Sequence, residues 1–255
     1  LTLASLKGKV VMLDFWTYGC INCIHNLPYV KKLQEEFADE LVVIGIHSAK
    51  FANEGRTENL RSIVLRYGIT YPVVNDADFG VWSIWGPQGW PTLVLIDPAG
   101  NVVGGRSGEG FYETFREIIG SLVREFDGKG KIDRAPLSVK LERDGRLSTL
   151  LSFPGKVKAD PAGGRLFISD SGHHRIIVVS AADGRILDIA GGGGPGFADG
   201  TFTEARFRNP QGTALSRDGK ILYVADTDNT AIRAVDFAGQ RVSTLGGTRS
   251  QGEGY

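Results

Sequence analysis

The residues of this chain best suited to chemistry are its only two cysteines, Cys20 and Cys23, which lie three positions apart. Cys20 follows a short apolar run and begins a segment with helical spacing, so we expect it at a helix N-terminus. The unpaired N–H groups and the positive dipole end of a helix favour the thiolate, which is the nucleophile. Cys23, one turn later, could attack a mixed disulfide on Cys20 and release a reduced substrate. The spacing therefore predicts thiol–disulfide chemistry.

Other interpretations of the cysteine pair remain open from the residues alone. A vestigial or merely structural disulfide would leave a domain that is kept for binding. A zinc site would need two further ligands, and no second Cys-x-x-Cys pair exists, so no metal is expected. Haem attachment requires His directly after the second cysteine, where this chain has Ile24. A secreted disulfide scaffold would contain many more cysteines.

Three further residues, Asp14, Trp16 and Pro91, are candidates for the same site. Asp14 lies in an otherwise apolar strand, where burial of an acid is costly, so we expect it to move a proton to or from Cys23. The alternative is an Asp that hydrogen-bonds within the sheet. Trp16, beside the cysteine helix, either lines the site or belongs to the core. Pro91 stands at the start of a strand and is a candidate cis proline.

The elements that must position these residues alternate along the chain. Residues 10–15 and 41–47 are apolar runs typical of buried strands, and residues 20–39 between them have an apolar stripe of helical spacing. This β–α–β order implies a parallel pair with a right-handed crossover. Further helices are predicted at 55–67, 78–85 and 109–126, and a hairpin at 92–97 and 101–105. Together they predict a closed α/β domain over residues 1–126.

The second half of the chain has a different pattern. A polar segment at 127–137, with two glycines and a proline, is the predicted linker. Beyond it, strand-like runs are short and are interrupted by Asp-Gly turns. Those turns lie at 144–145, 183–184 and 218–219.

An internal repeat with a fixed offset of 56 residues runs through this half. Matching pairs are Pro154 and Pro210, Leu166-Phe167 and Leu222-Tyr223, Asp170 and Asp226, Ile176 and Ile232, and Arg185 and Arg241. Each copy has about four short strands, the content of one propeller blade, so residues 138–255 are predicted to form about two blades. Because a ring usually needs about 4–8 blades, we expect either a fragment of a longer protein or a ring completed by another copy.

The cysteine motif resembles that of the thioredoxin superfamily, in particular its TlpA-like and redoxin branch. The resemblance covers Asp14-Phe15-Trp16-Thr17-Tyr18-Gly19-Cys20-Ile21-Asn22-Cys23, Pro28 and Trp90-Pro91-Thr92. It implies that Pro91 is cis and faces the disulfide, and that Trp90 and Thr92 beside it bind the substrate backbone. The Ile21-Asn22 spacer and the glycine before the first cysteine depart from the thioredoxin pattern. Because the spacer affects the reduction potential, the direction of the reaction stays open.

The second half resembles the NHL repeats of β-propellers. The resemblance is carried by Pro210-Gln211-Gly212, Leu222-Tyr223-Val224-Ala225-Asp226 and Asn229-Thr230-Ala231-Ile232-Arg233. The predicted architecture is thus an α/β thioredoxin-like domain followed by an all-β partial NHL β-propeller. Its predicted function is that of a thiol–disulfide oxidoreductase whose propeller binds a protein partner. A non-catalytic interaction scaffold is the alternative, because fold does not imply function. A thiol peroxidase is less supported, since the usual isolated peroxidatic cysteine is absent.

The composition of the chain limits the kinds of partner that we expect. The chain has 29 basic and 29 acidic residues, so its formal net charge is zero and no nucleic-acid or anionic membrane partner is expected. No apolar run reaches the roughly 20 residues of a membrane span. Residues 191–194 lack the Lys-Ser/Thr of a phosphate loop, and no cofactor is expected. Substrates are expected to be disulfides or thiols of proteins or small molecules. No signal peptide is visible, which favours the cytoplasm, but the chain begins at Leu1 rather than Met, so the compartment stays open.

Overall fold

A computed structural model describes residues 1–137, 139, 141, 149–160 and 162–247. The chain divides into two compact units, Leu1–Arg146 and Leu147–Tyr255. Within the described ranges, no helix is both long and apolar enough to cross a membrane.

The first unit has a five-stranded mixed sheet with helices on both faces. Its elements are β1 Val10–Trp16, α1 Ile21–Glu36, β2 Leu41–His47, α2 Thr57–Arg66, β3 Val73–Asn75, α3 Gly80–Trp85, β4 Thr92–Ile96, β5 Val102–Ser107 and α4 Tyr112–Gly128. The strand order is β3-β2-β1-β4-β5. Strands β1, β2 and β3 are parallel, whereas β4 and β5 are antiparallel to their neighbours. This is the βαβ plus ββα order predicted above, with the short strand β3 in addition.

The central strand β1 divides the core into two layers. Because side chains alternate along a strand, Val10, Met12 and Trp16 pack on one face with residues of α1 and α4. Val11 and Phe15 pack on the opposite face, which α3 covers. All seven residues of β1 are buried, which explains the nearly continuous apolar run in the sequence. Asp14, at an even position, shares the face that α1 covers.

The predicted boundary between the two halves differs from the observed one. Helix α4 continues to Gly128, two residues past the predicted domain end. The following segment is held by the first unit: Asp133 donates its backbone N–H to the Gly8 carbonyl at 2.8 Å, and Arg134 forms an ion pair with Glu40 at 2.8 Å. Residues 127–137 therefore belong to the first unit, and the division between the two compact units falls later in the chain, between Arg146 and Leu147. The predicted turn at 144–145 lies outside the described residues.

The second unit consists of two antiparallel sheets, as expected of a partial propeller. The first contains β6 Lys156–Asp160, β7 Arg165–Asp170, β8 Arg175–Ser180 and β9 Ile186–Gly191 in that order. The second contains β10 Gly200–Thr201, β11 Pro210–Leu215, β12 Ile221–Asp226, β13 Ala231–Asp236 and β14 Arg241–Gly247, in the order β10-β14-β13-β12-β11. The bounds of β12 and β13 equal those of β7 and β8 displaced by 56 residues. The repeat found in the sequence is therefore a repeat of blades.

The repeated aspartates fix the turns of both blades. Asp170 accepts the backbone N–H of Ser152 at 2.6 Å, and Asp226 accepts that of Arg208 at 2.7 Å, again 56 residues apart. An aspartate that accepts backbone N–H groups in this way stabilises a turn. The arginine that pairs with each aspartate does not follow the repeat. Arg175 binds Asp170, whereas Arg233, two positions beyond the equivalent residue, binds Asp226.

Candidate active site

Cys20 lies where β1 turns into α1. A turn over residues 17–19 leads to it, and its N–H donates to the Thr17 carbonyl at 3.2 Å. Cys20 is the N-cap residue of α1, and its carbonyl accepts the N–H groups of Cys23 and Ile24 at 3.1 and 3.2 Å. Its thiol is half-buried and donates to the Trp90 carbonyl at 3.8 Å. The first cysteine is thus at a helix N-terminus, as predicted, and within reach of a substrate.

Cys23 is enclosed, with 1% of its surface exposed, and both thiols are free. Burial is the main cause that raises the pKa of the Cys23 thiol. A backbone hydrogen bond from Thr17 lowers this pKa, whereas the neighbouring Cys20 and the charge of Asp14 raise it further. Cys23 is therefore held in its protonated form and needs a base before it can act as a nucleophile.

Asp14 lies near enough to Cys23 for its charge to raise the pKa of that thiol. It is 2% exposed, and burial raises its pKa to about 7. The Tyr71 hydroxyl donates to its Oδ2 at 3.3 Å and moderates this rise. A group that titrates near neutral pH can both accept and return a proton, which is what a general acid–base requires.

Tyr71 was not predicted as a site residue. It is buried immediately before β3, and a buried tyrosine hydroxyl needs a hydrogen-bond partner, which here is Asp14. Gly45 of β2 lies beside Asp14 in the sheet register and makes room for this contact. A Cβ at Gly45 would lie 3.2 Å from Cε2 of Tyr71 and 3.0 Å from Nε1 of Trp16. A tyrosine within the apolar run 69–74 was the only sequence signal.

The segment Trp90-Pro91-Thr92 borders the Cys20 thiol. The Trp90–Pro91 peptide bond is cis, as predicted. Pro91 is buried, and its carbonyl accepts the N–H of Gly108 at 2.9 Å. The Thr92 hydroxyl is used inside the protein, since it donates to the Gly89 carbonyl at 2.7 Å. Thr92 could therefore contact a substrate only through its backbone.

Trp16 does not line the site, so its prediction as a substrate-binding residue is corrected. Its side chain is 0% exposed and belongs to the core beneath α1. Its ring meets the His47 ring edge-on, with centroids 5.2 Å apart. The alternation of β1 directs this even-numbered residue into the layer that α1 covers, which leaves no surface for a substrate.

A small aromatic cluster next to Trp90 went unnoticed in the sequence. The Trp82 and Trp90 rings lie 4.5 Å apart, and Phe79 meets Trp90 edge-on at 6.2 Å. All three residues are half-buried. Aromatic rings therefore surround Trp90, the residue whose carbonyl accepts the Cys20 thiol.

Several known proteins are similar to the first unit alone. Residues 8–102 match the family model described as Thioredoxin-like. The chain is 34% identical over 120 residues to the thiol-disulfide oxidoreductase ResA of Halalkalibacterium halodurans, which is 46% of this chain and 66% of that protein. A solved thiol:disulfide interchange protein of the thioredoxin family from Chlorobium tepidum is 26% identical, covers 48% of this chain and 86% of its own, and has a TM-score of 0.43.

Other relatives are similar along both halves. Protein Suppressor of Quenching 1, chloroplastic, of Arabidopsis thaliana is 45% identical over 98% of this chain, which spans 24% of that protein. NHL repeat-containing protein 2 of Bos taurus is 44% identical over 97% of this chain, which spans 34% of that protein. The chain thus corresponds to about a quarter to a third of each of these relatives. The sheet order, the cysteine helix and the family match thus identify residues 8–102 as a Thioredoxin-like domain, in a chain that is similar along both halves to NHL repeat-containing protein 2 and Suppressor of Quenching 1.

Proposed function

We propose that this chain is a thiol–disulfide oxidoreductase that acts through Cys20 and Cys23. The observation that supports the proposal is the arrangement of two thiols and one carboxyl. Cys20 has a half-buried thiol at the N-terminus of α1, and Cys23, one helical turn later, has a fully buried thiol. The carboxyl of Asp14, whose pKa is raised to about 7, is near enough to Cys23 for its charge to raise the pKa of that thiol. Each group has the environment that its step requires.

In the reductive direction, the Cys20 thiolate attacks one sulfur of a substrate disulfide. The substrate S–S bond breaks, a mixed disulfide forms on Cys20, and the first substrate thiolate leaves. The Asp14 carboxylate then accepts the Cys23 proton. The resulting Cys23 thiolate attacks the Cys20 sulfur and releases the second substrate thiolate. The Cys20–Cys23 pair loses two electrons and the substrate gains them; the reverse sequence oxidises a dithiol.

The substrate surface is proposed to be Trp90 and the backbone of residues 90–92. The Trp90 carbonyl accepts a hydrogen bond from the Cys20 thiol, so a substrate sulfur that reacts with Cys20 lies next to this segment. The half-buried ring of Trp90 offers apolar contact beside it. We infer that the substrate is a disulfide or dithiol of a protein or small molecule that presents an extended segment here.

For the second unit we propose a role in binding a protein partner. Both cysteines of the chain lie in the first unit. Across the described residues, no group of three or more His, Cys, Asp or Glu side chains could hold a metal ion. These observations favour recognition over chemistry in the blades, and they keep the interaction scaffold as the alternative for the whole chain.

The two cysteine-to-serine variants of the full chain test the enzymatic proposal. With a small disulfide and a protein disulfide as substrates, Cys20→Ser should abolish turnover because the nucleophile is lost. Cys23→Ser should stop after the first step and accumulate a mixed disulfide on Cys20, visible as a mass increase. Turnover by Cys20→Ser at the wild-type rate would contradict the proposal and favour the scaffold, as would equal mixed-disulfide formation by both variants.

A further inference from the structure

A buried acid, Glu54, lies against the turn that carries Cys20, and the proposed proton path does not use it. Glu54 is 4% exposed and belongs to a short 3-10 helix, Ala52–Gly55. Its Oε2 accepts the backbone N–H of Lys50 at 2.8 Å and the hydroxyl of Thr17. Burying a carboxylate is costly unless it is hydrogen-bonded, so these two donors indicate a built position.

The same carboxyl explains the glycine that precedes Cys20. A Cβ on Gly19 would lie 1.8 Å from Oε1 and 2.9 Å from Cδ of Glu54. Gly19 does not have a left-handed backbone, so its conformation would allow a side chain. The Glu54 carboxyl therefore excludes the side chain. This accounts for the glycine before the first cysteine, which departs from the thioredoxin pattern.

Tyr18, the middle residue of the turn 17–19, also contacts residues near Glu54. The Tyr18 ring stacks on the His47 ring, with centroids 5.2 Å and planes 19° apart. The Tyr18 N–H donates to Nε2 of His47 at 3.4 Å, and its hydroxyl donates to the Asn53 carbonyl at 3.2 Å. Burial lowers the pKa of His47 to about 4, so its imidazole is neutral near pH 7 and can accept this bond. All three residues of the turn thus contact the segment 47–54.

We propose that Glu54 is a positioning residue for Cys20 and that its charge makes the Cys20–Cys23 pair more reducing. The proposal deepens the function proposed above and rests on it. By its contacts with Thr17 and Gly19, Glu54 fixes the turn that delivers Cys20 to the helix N-terminus. The Glu54 carboxyl lies against Gly19, the residue before Cys20, so it repels the negative charge that the Cys20 sulfur carries as the attacking thiolate. The disulfide carries no such charge, so Glu54 favours the disulfide over the reduced pair.

The charge is tested by the reduction potential of the full chain. Glu54→Gln keeps an acceptor for Lys50 and Thr17 but removes the charge; Glu58→Gln, at an exposed position on α2, is the matched control. After equilibration with glutathione buffers, we expect Glu54→Gln to shift the dithiol–disulfide constant toward the dithiol by up to about tenfold, which is about 30 mV for two electrons. Glu58→Gln should leave the constant unchanged. An unchanged or more negative potential for Glu54→Gln would overturn the electrostatic part.

The contact is tested by a double-mutant cycle on the rate at which Cys20 exchanges with a small aromatic disulfide. Gly19→Ala should slow this exchange at least about fivefold when Glu54 is present. In a Glu54→Ala background the same change should cost less than about twofold, because the clash is gone. An equal loss in both backgrounds would overturn the positioning role.

Failure of the proposed function and failure of the proposed role of Glu54 would give different results. If the wild-type chain forms no reversible disulfide, the proposed function fails, yet the cycle still measures positioning because exchange at Cys20 alone needs no turnover. If the wild-type chain turns over but Glu54→Gln leaves its potential unchanged and the cycle shows no coupling, the proposed function stands and the role of Glu54 is refuted.

Discussion

Replacing Asp14 by Asn should make the first unit more stable, by an amount that grows with pH. The carboxyl is buried, and burial raises its pKa from 3.8 to about 7. The folded state therefore holds a proton on Asp14 that the unfolded state has already released. For a group whose folded pKa is raised, stability falls as pH rises between the two values and is constant above the higher one. Asn cannot ionise, so the variant escapes this loss.

The magnitude follows from the width of that window. A shift from 3.8 to about 7 spans about three pKa units, and each unit is worth about 1.4 kcal/mol, so ionised Asp14 costs about 4 kcal/mol at high pH. Between about pH 5 and pH 8 the advantage of Asp14→Asn should grow by about 3 kcal/mol and then level off. Burial of His47, whose pKa is lowered to about 4, has the opposite pH dependence, but it is common to both proteins and cancels in the difference.

Urea unfolding of the reduced full chain, followed by tryptophan fluorescence, measures this difference. All four tryptophans lie in the first unit, so the signal reports on that unit alone. Asp39→Asn, at an exposed position, is the matched control and should change the free energy of unfolding by no more than about 0.5 kcal/mol at any pH. An advantage of Asp14→Asn that is the same at about pH 5 and about pH 8 would refute the reasoning, because it would mean that Asp14 does not titrate between them.

Two further predictions concern the partner of Asp14 and the second unit. Tyr71→Phe removes the hydroxyl that lowers the pKa of Asp14, so the pH dependence of disulfide reduction should move upward by about one unit; an unchanged profile would argue against that hydrogen bond. Asp226→Ala removes one of the two carboxylates that bind the buried Arg233, the one at 2.8 Å, and leaves Asp199 as the other, so it should destabilise the second unit by about 3 kcal/mol. Far-UV circular dichroism should report this loss while tryptophan fluorescence stays unchanged, and the exposed Asp183→Ala should have little effect in either signal.

Most elements of the first unit were predictable because their apolar residues follow a clear period. Strands β1 and β2 are buried on both faces and read as apolar runs. Strand β3 was missed because it has only three residues. Helix α4 begins at Tyr112 rather than at 109, since Gly108 and Gly110 have φ values of 90° and 74°, which a right-handed helix does not allow.

The second unit was predictable as a repeat but not in its details. The 56-residue offset located β7 and β8 against β12 and β13 without any knowledge of the sheet. The repeat did not show that the arginine partner of the aspartate changes position between the two copies. Arg175 and Arg233 occupy different positions on equivalent strands and reach equivalent carboxylates, those of Asp170 and Asp226, from the same face, so the sequence offset does not align them.

The site was predictable where it is local in sequence. Asp14 and the two cysteines lie close together in the sequence, and the cis proline is a residue of a distinctive type. Tyr71 and Glu54 come from segments 57 and 37 residues away from the groups that they bind, and no spacing rule connects them. Trp16 was misplaced because the motif gives its position beside the cysteine helix but not the face of β1 to which it belongs.

Cys20 and Cys23 are proposed to form a working redox pair. The reduction potential of the full chain tests this proposal directly. Equilibration in glutathione and dithiothreitol buffers, with the disulfide quantified by mass, gives this potential. We expect one reversible two-electron transition between about −120 and −270 mV, the range of known disulfide oxidoreductases. A disulfide that never forms, or one that is locked below about −300 mV, would contradict the account and leave the first unit as a binding domain.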